Sequence, residues 1–270
     1  MTGATGNIGR MVVDELRGSG VKVRALTIDP VRAALPADVE VYRGFLGKPD
    51  TLPAALDGVE KVYLAPKPQT VDTVAELARA AGVRHVVALS SILATEDAQD
   101  DYSLSFVAIE RAVQAAGLDW TFLCPGAFME NTVDWADSVR AEGVVREPFP
   151  MATDTPIAMA DIAAVATAAL LGDGHAGRKY GLSGPEALTV PEQVAIVGEV
   201  LGRDVRYVEL TREQARQRWL DQGVGEEFTD FMLSGGNEMR MVPERGFTEA
   251  TGRRGTTYAE WVAQHADAFR

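Results

Sequence analysis

Gly3, Gly6 and Gly9 recur at three-residue spacing within Thr2–Arg10, and an apolar stripe of Ile8, Met11, Val12 and Leu16 follows at helical intervals. Glycines so placed describe a tight turn running straight into a helix, with no side chain to block approach to the backbone. Backbone N–H groups and the positive end of the helix dipole then face outward together, which is the chemistry that binds a phosphate or pyrophosphate.

Such a turn is normally held by a buried strand before it, in the middle of a parallel sheet. Only Met1 and Thr2 precede Gly3 here. The expectation is that Met1 stands in for an internal valine whose GTG codon is read as a start, with a few strand residues upstream.

Further elements position the turn. Val21–Thr27, Val39–Arg43, Lys61–Ala65, His85–Leu89, Asp119–Leu123 and Lys179–Leu182 read as strands, with helices between them: a short one opened by Asp29-Pro30, then Leu52–Leu56, Thr70–Ala81, about Tyr102–Ala116, and the almost wholly apolar Ile162–Leu171. This alternation predicts an α/β fold, a doubly wound, mostly parallel sheet joined by right-handed crossovers and covered on both faces. Its first strand is missing from the sequence. Beyond Gly184-Pro185 the chain becomes more polar, with a helix from about Pro191 to Leu201, a strand at Val205–Glu209, charged helices from Arg212 and a closing helix at Tyr258–Phe269. Gly223–Gly225 and Gly235–Asn237 read as mobile segments, either the walls or lid of a substrate cleft or plain surface loops.

Composition narrows the function classes. A chain of 270 residues with 46% hydrophobic and 24% charged residues has the apolar content of one large domain or of one plus a small lobe. The net charge of −13 argues against nucleic acid and anionic membrane as partners, both of which demand clustered cations. Cys124 is the single cysteine, so no intramolecular disulfide is possible, and His85, His175 and His265 are too scattered to read as a metal site. No apolar run reaches membrane-spanning length, and a cytoplasmic location is expected, with the chain a monomer or homodimer.

Thr2–Arg10, Leu89-Ser90-Ser91, Gly117–Asn131, Asp161-Ile162-Ala163, Gly181–Thr189 and Glu260–Ala263 together resemble the NmrA-like, atypical short-chain dehydrogenase/reductases, a group that includes triphenylmethane dye and azo-dye reductases and relatives of isoflavone reductase. The resemblance runs nearly end to end. It implies a Rossmann domain over 1–183 that binds NADP or NAD, and a small C-terminal substrate-binding lobe over 184–270, with substrate held between the carboxyl edge of the sheet and that lobe. It also implies that Gly3, Thr5, Gly6, Asn7, Ile8 and Gly9 hold the pyrophosphate, that Ala65, Pro66 and Ser90 line the path to the nicotinamide, and that Pro125 to Phe128 close over it. Thr27, Ile28, Phe45 and Leu46 fall at the adenosine end. Relatives usually carry an arginine where this chain has Ile28, and an aspartate where it has Phe45. A guanidinium grips the 2′-phosphate of NADP through paired charge-assisted hydrogen bonds, which isoleucine cannot do. Arg10 or Arg32 is then left to serve the phosphate and Phe45 to stack on the adenine.

At the reacting end the wider superfamily uses serine, tyrosine and lysine, the lysine's charge favouring the tyrosinate. Here Ser90 or Ser91 and Tyr102 are in position, but Phe106 stands at the lysine's place. The implied chemistry is direct hydride transfer with weak acid assistance, Tyr102 donating the proton and Ser91 orienting the substrate; Tyr102 packing at a helix start is the alternative. Phe106, Met129 and Trp135, together with Phe149 and Met151, are candidate walls of an aromatic-accepting pocket, against their identity as plain packing, and Asn131 is a candidate polar contact. Glu110 shares a helix face with Phe106 and reads as a structural pair or a solvated acid as readily as a catalytic one. Asp161 reads as the N-cap of the helix it precedes. Cys124 reads as inert core.

Taken together, these residues give an NAD(P)H-dependent oxidoreductase reducing a planar aromatic or quinone-like small molecule. Its alternative is a degenerate Rossmann protein that senses a dinucleotide or ligand, or a cofactor-independent, non-redox enzyme reusing the cleft.

Overall fold

In the computed structural model, which describes residues 1–270, helix α1 (Asn7–Leu16) leaves the glycine turn, and strands β1 (Arg24–Thr27) and β2 (Glu40–Arg43) follow. Helix α2 (Pro53–Leu56), strand β3 (Lys61–Leu64), helix α3 (Val71–Ala80), strand β4 (His85–Leu89), helix α4 (Asp101–Ala115) and strand β5 (Asp119–Pro125) continue the alternation. Then come α5 (Ala136–Glu142), β6 (Val144–Glu147), β7 (Thr153–Asp154), α6 (Met159–Leu171) and β8 (Arg178–Leu182). The remainder is β9 (Leu188–Thr189), α7 (Val190–Leu201), β10 (Arg206–Glu209), α8 (Arg212–Asp221), α9 (Glu226–Ser234), α10 (Gly246–Thr251), α11 (Tyr258–Gln264) and α12 (Ala266–Phe269).

The chain divides into two units. The first holds Met1–Pro125, Met159–Leu182 and Arg245–Arg253, and the second Gly126–Ala158, Ser183–Glu244 and Arg254–Arg270. This differs from contiguous blocks of 1–183 and 184–270. Residues 126–158 join the second unit because Met129, Trp135, Val139 and Val145 pack into one apolar cluster with Val194, Val197, Tyr258 and Trp261. Helix α10 returns to the first unit, where it packs on α6 and β8.

All strand pairs of the first unit are parallel. β1 pairs with β2, and β3, β4, β5 and β8 form a second ribbon in that order, with Val62 opposite Val86, Val87 opposite Thr121 and Leu123 opposite Tyr180. Strands of a sheet covered on both faces must be apolar on both, and His85–Ala88 and Thr121–Pro125 are buried at every position. Ile109, Ala112 and Val113 of α4 pack on them beside Phe122. Helix α6 buries Ile162, Ala163, Val165, Ala166 and Ala169 and packs against α1.

Four local expectations are corrected. Asp29-Pro30 opens a single turn rather than a helix: the Asp29 carboxylate caps it by accepting from the N–H groups of Val31 and Arg32, and Ala33 N–H returns to the Asp29 carbonyl, but Ala34 turns to φ +45° and Pro36 follows two residues later. Helix α6 starts at Met159, so Asp161 lies in its first turn and not at the N-cap. The closing helix is broken at His265, whose N–H is shared between the Trp261 and Val262 carbonyls. The Gly235–Asn237 segment is tied rather than loose: Met151 N–H donates to Asn237 Oδ1 at 2.9 Å, and Thr153 exchanges backbone bonds with Met239 and Met241.

In the second unit β6 pairs in parallel with β10, β7 pairs antiparallel with β9, and α7 packs on α11. No helix of the chain is long and apolar enough to cross a membrane.

Candidate functional site

The glycine turn is built as its spacing demands. Gly6 N–H closes on the Gly3 carbonyl at 2.9 Å, and α1 starts after Gly6 with no side chain capping it. The first N–H groups of a helix have no intrahelical partner, so those of Asn7 and Ile8 stay available to a ligand. Gly3 sits at φ +58°, where a Cβ would also come 2.7 Å from the Ala65 Cβ, and a Cβ on Gly9 would run into the Gly3 carbonyl. The cradle is therefore closed to side chains, open to an anion, and fits the diphosphate of a dinucleotide. Ala4, Ile8 and Gly9 are buried beneath it while Thr5, Gly6 and Asn7 face outward.

At the carboxyl end of β1, Thr27 is buried and its hydroxyl accepts from Asp29 N–H at 3.3 Å, leaving Ile28 65% exposed with no charge to offer. Arg10, one turn into α1, is held by Asp14 at 3.2 Å and by the Ala34 carbonyl at 3.0 Å. Arg32 is almost free, 3.7 Å from Asp29 and 90% exposed. Phe45 has its N–H on Thr51 Oγ1 and its ring under Lys67 Nζ at 5.8 Å, so it presents an exposed aromatic face beside buried Leu46. Ala65 N–H donates to Thr2 Oγ1 at 2.8 Å, and Pro66 is exposed just beyond β3.

At the carboxyl end of β4 the chain makes a cluster that sequence spacing did not show. Ser90 is buried, and its hydroxyl donates to Glu110 Oε1 at 2.6 Å. Glu110 Oε2 meets Lys179 Nζ at 2.8 Å, and the same ammonium donates to the Ala94 carbonyl. Cys124 lies 3.6 Å from Glu110, and burial first, then that carboxylate, pushes its thiol up to about 12. The thiol is no nucleophile. Lys179 lies 69 residues from Glu110 and no periodicity links them.

Ser91 is also buried, and its oxygen accepts from Leu93 N–H at 3.2 Å in a tight turn, which leaves the hydroxyl proton free to point elsewhere. Tyr102, in the first turn of α4, stacks edge-on against Phe106 with ring centroids 5.3 Å apart. Its phenol is raised above its ordinary value, by burial first and by the Asp100 carboxylate second. It stays protonated across the neutral range, able to give a proton and unable to take one.

The remaining site residues separate by unit. Pro125 ends β5, buried, and accepts from Ile92 N–H; Phe106 is half-buried on α4. In the second unit Phe128 is half-buried and Asn131 exposed, whereas Met129 is 1% exposed and Trp135 is buried with its indole N–H on Glu147. Met129 and Trp135 pack that unit's core.

Residues 3–173 match the NAD(P)H-binding family. The chain is 40% identical to the (4-alkanoyl-5-oxo-2,5-dihydrofuran-3-yl)methyl phosphate reductase of Streptomyces griseus subsp. griseus, over 100% of this chain and 98% of that one. It is 36% identical to the NAD(P)H azoreductase of Xenophilus azovorans over the same shares of the two chains. Among solved structures, the NADPH-dependent quinone oxidoreductase of Escherichia coli in complex with NADPH superposes with a TM-score of 0.85 at 25% identity, over 98% of each chain.

Proposed function

Because the chain belongs to the NAD(P)H-binding, NmrA-like family of atypical short-chain dehydrogenase/reductases and is an NAD(P)H-dependent oxidoreductase, we propose that it reduces a small, planar, electron-poor molecule, aromatic or quinone-like, by direct hydride delivery. An azo group, a quinone and an acylated unsaturated lactone, the acceptors in the relatives' names, share one property. Each is a conjugated system that takes a hydride at carbon or nitrogen and leaves negative charge on a heteroatom.

The observation that carries the reading is the turn that no Cβ can enter, at the head of an uncapped helix inside the family-matching segment. Gly3, Thr5, Gly6, Asn7, Ile8 and Gly9 hold the diphosphate there, and Arg10, Thr27, Ile28, Phe45 and Leu46 serve the adenosine end. Ala65, Pro66, Ser90 and Pro125 frame the nicotinamide end. The reduced nicotinamide supplies the hydride when bound.

The chain's own part is to orient and to protonate. Ser90, whose proton is committed to Glu110, can only accept a hydrogen bond from what it faces. Ser91 retains a proton to orient the acceptor's heteroatom. Tyr102 gives its phenolic proton to the developing anion, a weak acid because nothing cationic lowers its pKa. Phe106 stands as an apolar substrate contact. A cytoplasmic location, where reduced nicotinamide is regenerated, completes the reading.

Calorimetric titration with NADPH and with NADH, followed by turnover against a quinone, an azo dye and an acylated unsaturated lactone, tests it. Micromolar binding with cofactor oxidation by at least one acceptor is expected. Absence of binding at near-millimolar cofactor would end the reading.

A further inference from the structure

The turn between β2 and α2 builds a rigid aromatic shelf. Phe45 N–H donates to Thr51 Oγ1 at 3.0 Å, Lys48 N–H donates back to the Phe45 carbonyl at 2.8 Å, and the Thr51 hydroxyl gives its proton to the Lys48 carbonyl at 2.7 Å. The ring lies against the backbone of Gly47, where a Cβ would run into Cε1 and come 2.9 Å from Cζ. Gly47 is thus a glycine for space, and any side chain there displaces the ring. Backed in this way, with Leu46 and Leu52 buried and itself exposed, Phe45 offers its outer surface to a planar group.

A second turn brings a cation to the shelf. The Thr70 hydroxyl donates to the Leu46 carbonyl at 2.8 Å and Thr70 N–H to the Lys67 carbonyl at 3.3 Å, which ties the turn after β3 to the residue beside Phe45. Lys67 Nζ then stands 5.8 Å from the ring centroid and joins no ion pair. At that distance the ammonium reaches the edge of whatever stacks on the ring. An ammonium has three donors and no acceptor. The nearby acceptors are engaged: the Phe45 carbonyl by Lys48 N–H, the Leu46 carbonyl by Thr70 and the Lys48 carbonyl by Thr51. A base therefore meets a face to stack on and a donor at its rim.

That pairing bears on which base is read. Adenine presents N7 as an acceptor and its 6-amino group as a donor, whereas a 6-oxopurine presents N7 and O6, both acceptors. A carboxylate would select the amine; an ammonium has no use for it. We propose that Lys67 is a specificity-determining residue for the base of the dinucleotide. It donates to the acceptor edge of a base stacked on Phe45, so the site makes no demand for a 6-amino group and takes hypoxanthine at least as readily as adenine. The inference rests on the placing of Phe45 at the adenosine end in the functional reading above and deepens it.

Calorimetric titration of the full chain with NADH and with reduced nicotinamide hypoxanthine dinucleotide tests it without turnover. The hypoxanthine form is expected to bind within about threefold of NADH or more tightly; a wild type that binds it more weakly than that overturns the proposal. Lys67→Met, which keeps the length of the stem and removes the donor, is expected to weaken the hypoxanthine form at least about fivefold more than NADH. A ratio of the two affinities that does not move overturns the assignment to Lys67. Gly47→Ala, which displaces the ring, is expected to weaken both forms alike, because stacking is indifferent to the base; unaltered affinity for both takes the base away from Phe45 and overturns the proposal. Binding of neither dinucleotide at near-millimolar concentration is a different result, since it removes the functional reading and this assignment with it.

Discussion

Lys179 Nζ and Glu110 Oε2 meet 2.8 Å apart across the first unit, and Glu110 passes the order on, since its other oxygen takes the Ser90 proton at 2.6 Å. The carboxylate side chain is 12% exposed and the lysine 40%, so the pair lies between a solvated and a buried one. Removing the ammonium leaves a nearly buried carboxylate with a serine and a backbone carbonyl nearby. Lys179→Met is expected to cost about 1–2 kcal/mol, less than a fully buried pair would because one partner is partly in water. Lys179→Arg should recover part of it. Urea midpoints of the two variants decide: equal stability of wild type and Lys179→Met would make the pair ornamental.

The glycine turn gives a sharper prediction. A side chain on Gly9 would overlap the Gly3 carbonyl, so Gly9→Ala must shift the backbone proposed to hold the diphosphate. The expected result is a loss of about 1–3 kcal/mol in stability together with at least a hundredfold weaker NADPH binding by calorimetry. Gly225→Ala, where a Cβ meets nothing, serves as the control and should leave binding alone.

Both cases show what the sequence could and could not reveal. The cradle was legible because backbone approach is a property of the residues themselves: three glycines and an apolar stripe are local. Strands β1 to β5 and β8 and helices α1, α3 and α4 were legible for the same reason, each carrying its own periodicity. What was missed is long-range or chemically local in a different way. Lys179 finds Glu110 only through the register of β8 on β5. The placement of residues 126–158 in the second unit depends on Trp135 and Val145 meeting Trp261 and Val197, partners far along the chain. Met129 and Trp135, read either as pocket walls or as plain packing, lie in that core, and the sequence left the choice open because apolarity marks burial without saying against what. Three helix starts carried an unread local signal: Thr189 with Glu192, Thr211 with Gln214, and Thr257 with Glu260 are capping boxes.

Tyr102 separates acid catalysis from packing. Its phenol is raised by burial and by Asp100, so it is a weaker acid than free tyrosine, and its contribution should fall below the 10²–10⁴-fold of a tuned group. Tyr102→Phe is expected to lower kcat about tenfold and to leave the NADPH Kd unchanged, since the ring still packs on Phe106. An unaltered kcat would reduce Tyr102 to a packing residue.

The proposed place of Ile28 at the adenosine end makes it the test of cofactor preference. It stands 65% exposed immediately after β1, with Arg10 already engaged by Asp14 and Ala34. A guanidinium at this position can grip a 2′-phosphate through two charge-assisted bonds worth roughly 1.5–3 kcal/mol. Ile28→Arg is therefore expected to tighten NADPH by about ten- to a hundredfold with little change for NADH, measured by competitive titration. A parallel gain for both cofactors would show that the side chain acts on the loop and not on the phosphate.

The dependence of stability on pH has a definite sign. Thr121 gives its single proton to the His175 carbonyl at 2.7 Å, so its oxygen must accept from His85, 2.8 Å away, and His85 carries its hydrogen on Nε2. Burial lowers the His85 pKa, Lys61 lowers it further, and Asp119 opposes them; burial and then Lys61 and Arg178 lower that of His175. The unfolded chain, with histidines near 6.5, therefore binds protons before the folded one does as pH falls. By linkage the stability is full above about pH 7 and declines as pH drops through ~6.5 toward the folded values. Glu147 and Asp154, raised by burial, act with the opposite sign, so the informative quantity is a difference. His85→Gln keeps a donor for Thr121 and removes the titration. Its urea midpoint should lie below that of wild type at pH 7.5 and approach it as the pH falls to about 5, whereas curves that stay parallel would show that His85 does not titrate in this window.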